Sequence, residues 1–236
     1  MKPVQETEHL TRLTRLGFVN CFFVHEDDGL TLVDTNLVGS AAGIMAASQR
    51  LNAPLRRIVL THAHIDHVGS LDVLTHQVPG IAVAISEREA RLLRRDFSLD
   101  PGEPGKKLIG FPGAKSTPTL LLKDGDRVAS LQAVSCPGHT PGHMALLDVR
   151  DGTLIAGDAF VTQAGVAAAG IFKIYFPFPA FFSWSKELSA ESAKRLRDLR
   201  PMRLAVGHGK TVESPLAAMD RAVDLAFRQL GRHANF

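Results

Sequence analysis

Four side chains that can bind a metal ion lie within one short stretch, residues 61–67 with the sequence THAHIDH. The stretch follows the apolar segment IVL at 58–60, which predicts a buried strand that ends where the stretch begins. Three imidazoles and one carboxylate in so few positions are too dense for packing alone, and a divalent metal ion is the simplest partner that would hold them in one volume. The candidate ligands here are His62, His64, Asp66 and His67.

Three further candidates each come directly after an apolar run and beside a glycine. They are His139 in CPGHTPGH, Asp158 in IAGDA and His208 in VGHG. Glycine lets the backbone bend and approach a neighbour closely. Because ligands at the ends of several strands can meet at one edge of a sheet, we expect these three to converge on a shared centre with the first four.

Two sets of predicted elements would position these residues. Apolar runs and turn signals predict strands over 10–16, 18–25, 30–34, 55–60 and 81–85, and helices over 39–51, 69–76 and 86–95. After a loop rich in Gly and Pro at 96–118, they predict a second set: strands over 119–123, 127–135, 144–149, 153–156 and 203–206, and helices over 186–199 and 215–230. Strands followed by helices, twice over, predict an α/β fold with two sheets packed face to face between helical layers. With no clear repeat or linker, we expect residues 1–236 to form a single domain.

The composition narrows the class of protein. A chain of 236 residues that is 45% hydrophobic can bury a real core, and a net charge of +3 is too mild to indicate nucleic acid as a partner. Two cysteines, Cys21 and Cys136, are typical of a reducing compartment rather than a disulfide scaffold. The apolar segment 160–184 is interrupted by Lys173 and by prolines, and the first residues lack the apolar core of a signal peptide. We therefore expect a cytoplasmic protein that does not contact a membrane.

The ordered motifs HxHxDH, GHTPG, GD and GH resemble the metallo-β-lactamase superfamily of hydrolases, from about Phe18 to His208. The resemblance implies an αββα four-layer sandwich of two mixed β-sheets flanked by helices, with a two-metal centre. It assigns His62, His64 and His139 to the first metal ion, Asp66, His67 and His208 to the second, and Asp158 to both. Mixed nitrogen and oxygen ligands favour Zn²⁺, while Mn²⁺, Fe²⁺ and Co²⁺ stay open.

Two neighbours of His139 need their own interpretation. His143 completes a GHTxGH form that is similar to several family members, where the second histidine orients the site; a structural role in the core is the alternative. Cys136 is predicted to be a small buried side chain without a metal or redox role.

Differences between this sequence and individual branches of the family reduce the number of activities that we expect. The β-lactamases proper usually lack the aspartate that Asp158 supplies, so antibiotic hydrolysis is not expected. The flavodiiron branch needs a carboxylate where Ala63 stands, and the processing nucleases carry additional domains. Glyoxalase II is similar in its THxHxDH and GD motifs, but its glutathione-binding segments are not present here. The lactonases carry a tyrosine where Val161 stands, and the only tyrosine of the chain is Tyr175.

The lactonase and glyoxalase II-like branch therefore fits best. It implies that hydroxide supplied by the metal centre attacks the carbonyl of a small lactone, ester or thioester, while Asp66 accepts or relays a proton. A mononuclear iron persulfide dioxygenase and a non-catalytic metal or ligand sensor are the alternatives. Nine large apolar side chains within 167–184 indicate a wall for an apolar part of the substrate, a homodimer contact or ordinary core packing.

Overall fold

The computed structural model describes residues 1–172 and 178–234. The chain forms two compact units, Met1–Asp96 with Gly110–Leu122, and Phe97–Ile109 with Lys123–Phe236. Each unit contains one large sheet and its own helices.

The first unit is built on a seven-stranded sheet in the order β1 to β7. Its strands are β1 (Pro3–Gln5), β2 (Leu10–Arg15), β3 (Val19–Glu26), β4 (Gly29–Val33), β5 (Leu55–Val59), β6 (Ala82–Ser86) and β7 (Leu120–Leu122). Its helices are α1 (Ala41–Arg50), α2 (Ile65–Val68), α3 (Leu71–Gln77) and α4 (Glu87–Leu93). Strands β1 to β4 are antiparallel neighbours, whereas β4 to β7 run parallel.

The parallel strands of this sheet bring the predicted ligand stretch 61–67 and the residues that follow neighbouring strands to one edge. Parallel neighbours need a crossover connection, and α1 to α4 supply these connections. The carboxyl ends of β4, β5 and β6 therefore meet at the same edge, which is where open α/β sheets bind their ligands. Asp34 follows β4, the stretch 61–67 follows β5, and α4 follows β6.

The second unit has a six-stranded sheet in the order β15-β14-β11-β10-β9-β8 and a two-stranded sheet of β12 and β13. Its strands are β8 (Arg127–Val128), β9 (Leu131–Ser135), β10 (Met144–Asp148), β11 (Thr153–Ile155), β12 (Phe160–Val161), β13 (Ala167–Ala168), β14 (Arg203–Ala205) and β15 (Val212–Glu213). Its helices are α5 (Phe178–Phe182), α6 (Lys186–Asp198) and α7 (Leu216–Gln229).

The directions of the strands in the second sheet also bring the other three candidate ligands to one edge. β9 and β11 are both antiparallel to the strand between them, β10, and β14 is parallel to β11. The three strands β9, β11 and β14 thus run in one direction and end at one edge. His139, Asp158 and His208 each lie three or four residues beyond one of these ends.

The predicted elements need two corrections. The strand predicted over 127–135 is wrong, because the chain turns back between β8 and β9, where Ala129 adopts a φ of +52°. The strand predicted over 119–123 was grouped with the second set, but β7 pairs with β6 in the first unit. Six short elements were not predicted, namely β1, β12, β13, β15, α5 and the helix α2 directly after His64.

The α/β class, with two large mixed sheets and helices, is as predicted, and the single-domain assignment stays a prediction. Among the helices of residues 1–172 and 178–234, none combines the length and the apolar character needed to cross a membrane.

Candidate metal centre

The first ligand group, which consists of His62, His64, Asp66 and His67, lies between β5 and the end of α2. The ring centroid of His62 is 4.8 Å from that of His64 and 4.0 Å from that of His67. All three imidazoles are buried, while Asp66 is partly exposed, with a carboxylate oxygen 4.0 Å from His67 Nε2. The structure therefore brings these four predicted ligands together.

Hydrogen bonds to the backbone fix this stretch at every second residue. The N–H of Thr61 donates to Asp34 Oδ1 at 2.8 Å, and that of Ala63 donates to Glu89 Oε2 at 2.9 Å. The N–H of Ile65 donates to the carbonyl of Gly110 at 3.1 Å. Positions 61, 63 and 65 are thus bound to three other segments, while the intervening positions 62, 64 and 66 carry ligands.

The Asp34 carboxylate also determines which ring nitrogen His67 presents. Asp34 Oδ2 accepts the hydroxyl of Thr61 at 2.8 Å and contacts His67 Nδ1 at 2.8 Å. Because the Thr61 hydroxyl proton is donated to Asp34, its oxygen accepts from His62 Nδ1 at 3.0 Å. Both imidazoles therefore carry their proton on Nδ1, which leaves the Nε2 lone pair to bind a metal ion.

Asp34 and the short helix α2 are held in place by close packing. The carbonyl of His67 accepts the N–H of Thr35 at 2.6 Å and its hydroxyl at 3.0 Å. A Cβ at Gly69 would overlap the backbone nitrogen of Val38, so only glycine lets α2 approach this loop. Burial and the Asp34 carboxylate raise the pKa of the Cys21 thiol, so that this free cysteine stays protonated.

The second ligand group consists of His139, Asp158 and His208, all of them buried. Asp158 Oδ2 lies 3.4 Å from His139 Nε2 and 3.1 Å from His208 Nε2. One carboxylate oxygen therefore stands between the Nε2 atoms of two histidines that the resemblance assigns to different metal ions. His139 Nδ1 contacts the hydroxyl of Ser183 at 3.3 Å.

Two glycines let these ligand loops pack against other backbone. Gly138 has a φ of +144°, and a Cβ there would overlap the backbone nitrogen of Ser189 in α6. Gly209 has a φ of +117°, and a Cβ there would overlap the hydroxyl of Thr162. Since a side chain fits at neither position, the glycines beside His139 and His208 are required by space as well as by conformation.

His143 supports the backbone of Asp158. Its Nε2 accepts the Asp158 N–H at 3.1 Å, and its Nδ1 contacts Cys136 Sγ at 3.1 Å. A backbone N–H can only donate, so Nε2 is the acceptor and the ring is neutral, with its proton on Nδ1 directed at the sulfur. This geometry favours the interpretation of His143 as a residue that orients the site. Cys136 is buried, and its sulfur contacts this histidine.

The donor atoms present suit divalent metal ions. All seven predicted ligands belong to candidate His/Asp metal-binding groups. Imidazole nitrogens with carboxylate oxygens suit zinc and neighbouring transition metals, and a carboxylate behind a ligand histidine, as Asp34 stands behind His67, is typical of such sites.

Sequence reasoning missed three residues that support the ligands, namely Asp34, Glu89 and Ser183. Asp34 had a usable signal, because it follows the apolar strand β4 just as the ligands follow their own strands. Glu89 lies within a charged helix and Ser183 within an aromatic segment, and neither context distinguishes them from surface residues.

Comparison with known proteins defines the class. Residues 14–208 match the model of the metallo-beta-lactamase superfamily, and the chain belongs to this family.

Individual proteins within this family are similar to the chain over much of its length. It is 48% identical to YobT of Bacillus subtilis (strain 168), an uncharacterized protein, over 94% of this chain and 96% of YobT. It is 31% identical to YflN of the same organism, a probable metallo-hydrolase, over 80% of each chain. A hydroxyacylglutathione hydrolase of Gloeobacter violaceus (strain ATCC 29082 / PCC 7421) is 34% identical over 59% of this chain and 48% of its own length.

The solved structures agree on the fold. The crystal structure of TTHA1623 in a di-iron-bound form superposes with a TM-score of 0.66 at 24% identity, covering 92% of this chain and 97% of that one. The predicted fold class is thus confirmed. The chain is a metallo-hydrolase of this superfamily, and its fold implies divalent metal ions.

Proposed function

We propose that this protein hydrolyses a small lactone, ester or thioester with an apolar part, at a dinuclear metal centre built from both ligand groups. In this proposal His62, His64 and His139 bind one metal ion, Asp66, His67 and His208 bind the other, and Asp158 binds both. Zinc is the metal that the donor atoms favour.

The observation that carries this proposal is the position of Asp158. Its Oδ2 lies within 3.4 Å of the Nε2 atoms of both His139 and His208, in a buried setting. A carboxylate shared between two histidine donors is suited to bridge two cations. His143 fixes the Asp158 backbone through the N–H bond described above.

When bound, two divalent metal ions supply hydroxide at neutral pH and positive charge for the oxygen that becomes negative as the carbonyl is attacked. The residues of the chain do the rest. Asp34 keeps His67 in the tautomer that presents Nε2. Asp66 is the ligand candidate of the first group that stays partly exposed, so its carboxyl is suited to pass a proton to the leaving group.

An aromatic surface supports an apolar substrate. Phe172, Phe181 and Phe182 are 56%, 64% and 40% exposed, and the rings of Phe172 and Phe181 meet edge to face at 6.0 Å. This surface leads directly into Ser183, whose hydroxyl contacts His139. Large exposed aromatic side chains beside a ligand loop suit an acyl chain or an aromatic ester. Tyr175 and the rest of 173–177 lie outside the described residues.

The direct test is acid release, measured at constant pH, when Zn²⁺- or Mn²⁺-loaded protein is mixed with a long-chain acyl lactone and its short-chain counterpart. We expect turnover by the wild type and at least a 100-fold lower rate in Asp158→Ala. Removing a residue that only supports a metal ligand lowers activity about 10- to 100-fold, and removing a ligand itself should lower activity at least as much. Asp224→Ala, at a partly exposed aspartate on α7 outside both ligand groups, is the matched control and should keep full activity.

The same assay tests the aromatic surface. Phe181→Ala should raise KM on the order of 10-fold for the long-chain lactone alone, because one buried aromatic contact contributes about 1.5–3 kcal/mol. Phe97→Ala, at another exposed phenylalanine of the second unit, should not.

Two results would replace the proposal. Oxygen consumption by iron-loaded protein on a low-molecular-weight persulfide, without hydrolysis of any lactone, ester or thioester, would indicate the dioxygenase. A change of oligomeric state on metal removal, again without turnover of any of these compounds, would indicate the sensor.

A further inference from the structure

Glu89 is a buried acid that neither the family motifs nor the proposed ligand set uses. It lies in α4, and its side chain is fully buried, at 0% exposure. Its Oε2 accepts the N–H of Ala63 at 2.9 Å. Taking a carboxylate out of water costs several kcal/mol unless its surroundings stabilise the charge, so an apolar residue would fill this space more cheaply.

The partner of Glu89 is significant because of its place in the chain. Ala63 is the residue between His62 and His64, and it is itself buried. The neighbouring fixed positions are Thr61, bound by Asp34, and Ile65, bound by Gly110. Glu89 therefore fixes the middle of the ligand stretch, at the point that sets the distance between two candidate ligands.

The position of Glu89 is itself well determined. Strand β6 pairs with β5 up to Val59 and Ala84, and the N–H of Leu60 then donates to the Ala84 carbonyl at 2.9 Å. Ser86 ends β6 and caps α4, where its hydroxyl accepts the Glu89 N–H at 3.1 Å. Glu89 therefore lies in α4, which directly follows β6, and β6 pairs with β5, the strand that leads into Ala63. These contacts leave the Glu89 backbone little freedom to move relative to Ala63.

We propose that Glu89 is a positioning residue for metal binding, which holds the imidazoles of His62 and His64 at the spacing that a metal ion needs. Its Oε2 accepts the Ala63 N–H, and a carboxylate is a stronger acceptor than the neutral amide oxygen that a glutamine would offer at this position. This inference rests on the proposed metal centre.

The test compares Glu89→Gln and Glu89→Ala with Glu87→Gln, a matched control on the exposed side of the same helix. The affinity for Zn²⁺ is measured by competition with a chelator, and the ligand geometry by the visible absorption of Co²⁺-loaded protein. Thermal unfolding of the metal-free proteins reports the structural contribution separately. We expect an affinity loss of about 10-fold for Gln, which keeps one acceptor oxygen, and about 100-fold for Ala, with a changed Co²⁺ spectrum. Glu87→Gln should match the wild type.

The outcomes separate the possibilities. If Glu89→Gln unfolds at a lower temperature but binds Zn²⁺ as tightly as the wild type with the same Co²⁺ spectrum, Glu89 is structural only and the inference fails. If the wild type itself binds no metal ion, the proposed function fails and the inference fails with it. Should Glu89→Ala not fold, the Gln variant alone decides.

Discussion

The two ligand groups are positioned by different means. The first is nearly continuous in sequence, and side chains and carbonyls from three other segments bind its backbone N–H groups. The second is collected from three separate loops, which pack so closely on other backbone that Gly138 and Gly209 leave no space for a side chain. The comparison teaches that hydrogen bonds to backbone N–H groups hold most of the first group, with close packing beside it at Gly69. In the second group, space is limiting at the glycine next to His139 and at the glycine next to His208, although a hydrogen bond to His143 also supports Asp158.

The largest effect should come from adding volume in the second group. Gly138→Ala places a methyl group against the Ser189 nitrogen and strains a φ of +144°, so we expect a loss of about 2–4 kcal/mol in the free energy of unfolding. Urea unfolding measures this. Gly102→Ala is the matched control, because Gly102 also has a positive φ, +86°, but has open space around it. Its cost should be about 1 kcal/mol. Equal losses in the two variants would mean that conformation, and not crowding, limits the His139 loop.

A smaller effect, directed at metal binding, should come from the first group. Asp34→Asn replaces one carboxylate oxygen by an NH₂ donor, so the Thr61 N–H loses its acceptor if Oδ1 is replaced, and the Thr61 hydroxyl and His67 Nδ1 both lose theirs if Oδ2 is replaced. We expect Zn²⁺ affinity to fall about 10- to 100-fold, measured by chelator competition. Asp27→Asn, at an exposed turn of the same unit, is the control. Unchanged affinity would show that Asp34 is not needed to orient His67, and the comparison between the groups would lose its basis.

The smallest effect concerns Asp72 in the first unit and Asp124 in the second, two carboxylates that belong to neither ligand group, and here we expect the two units to respond to pH in the same way. Partial burial raises the pKa of Asp72, but hydrogen bonds from Lys115 and Ser116 outweigh it and lower the pKa overall. In the same way, partial burial raises the pKa of Asp124, while bonds from Ser135 and Arg195 lower it overall. A lowered folded-state pKa gives stability that is present above the unfolded value of about 3.9 and is lost as pH falls through the folded value.

Urea unfolding across pH tests this. Asp72→Asn should cost about 1 kcal/mol at pH 7, and Asp124→Asn should cost less, because the Asp124 side chain is half exposed and solvent screens its charge. For both variants, the difference from wild type should close as the pH is lowered past these folded-state values. A difference that persists in acid would assign the effect to packing rather than to charge.

The sequence predicts those features of the site whose signal lies within a few neighbouring residues. The seven candidate ligands could be named because histidine, aspartate and glycine at strand ends form motifs that are readable within a few residues. Glu89 could not, since its partner Ala63 lies in a different element and a single glutamate in a charged helix has no distinguishing neighbours. The sequence predicts most of the longer strands but not the two- and three-residue strands β1, β12, β13 and β15, whose apolar runs are too short to stand out. It also does not predict which sheet a strand joins, because nothing in residues 119–123 says that β7 pairs with β6. The turn at Ala129 was missed because alanine rarely adopts a positive φ.

Because the candidate ligands follow the ends of β9, β11 and β14, an insertion or a deletion is tolerated at some positions of these strands and turns and not at others. A residue inserted within β11 would shift Asp158 by about 3.3 Å and turn the following side chains to the opposite face of the sheet. The turn at 149–152, which joins β10 to β11 at their other ends, precedes this whole strand and can lengthen without changing its register. Insertions and deletions among relatives should therefore accumulate in that turn, while the spacing from strand to ligand stays constant.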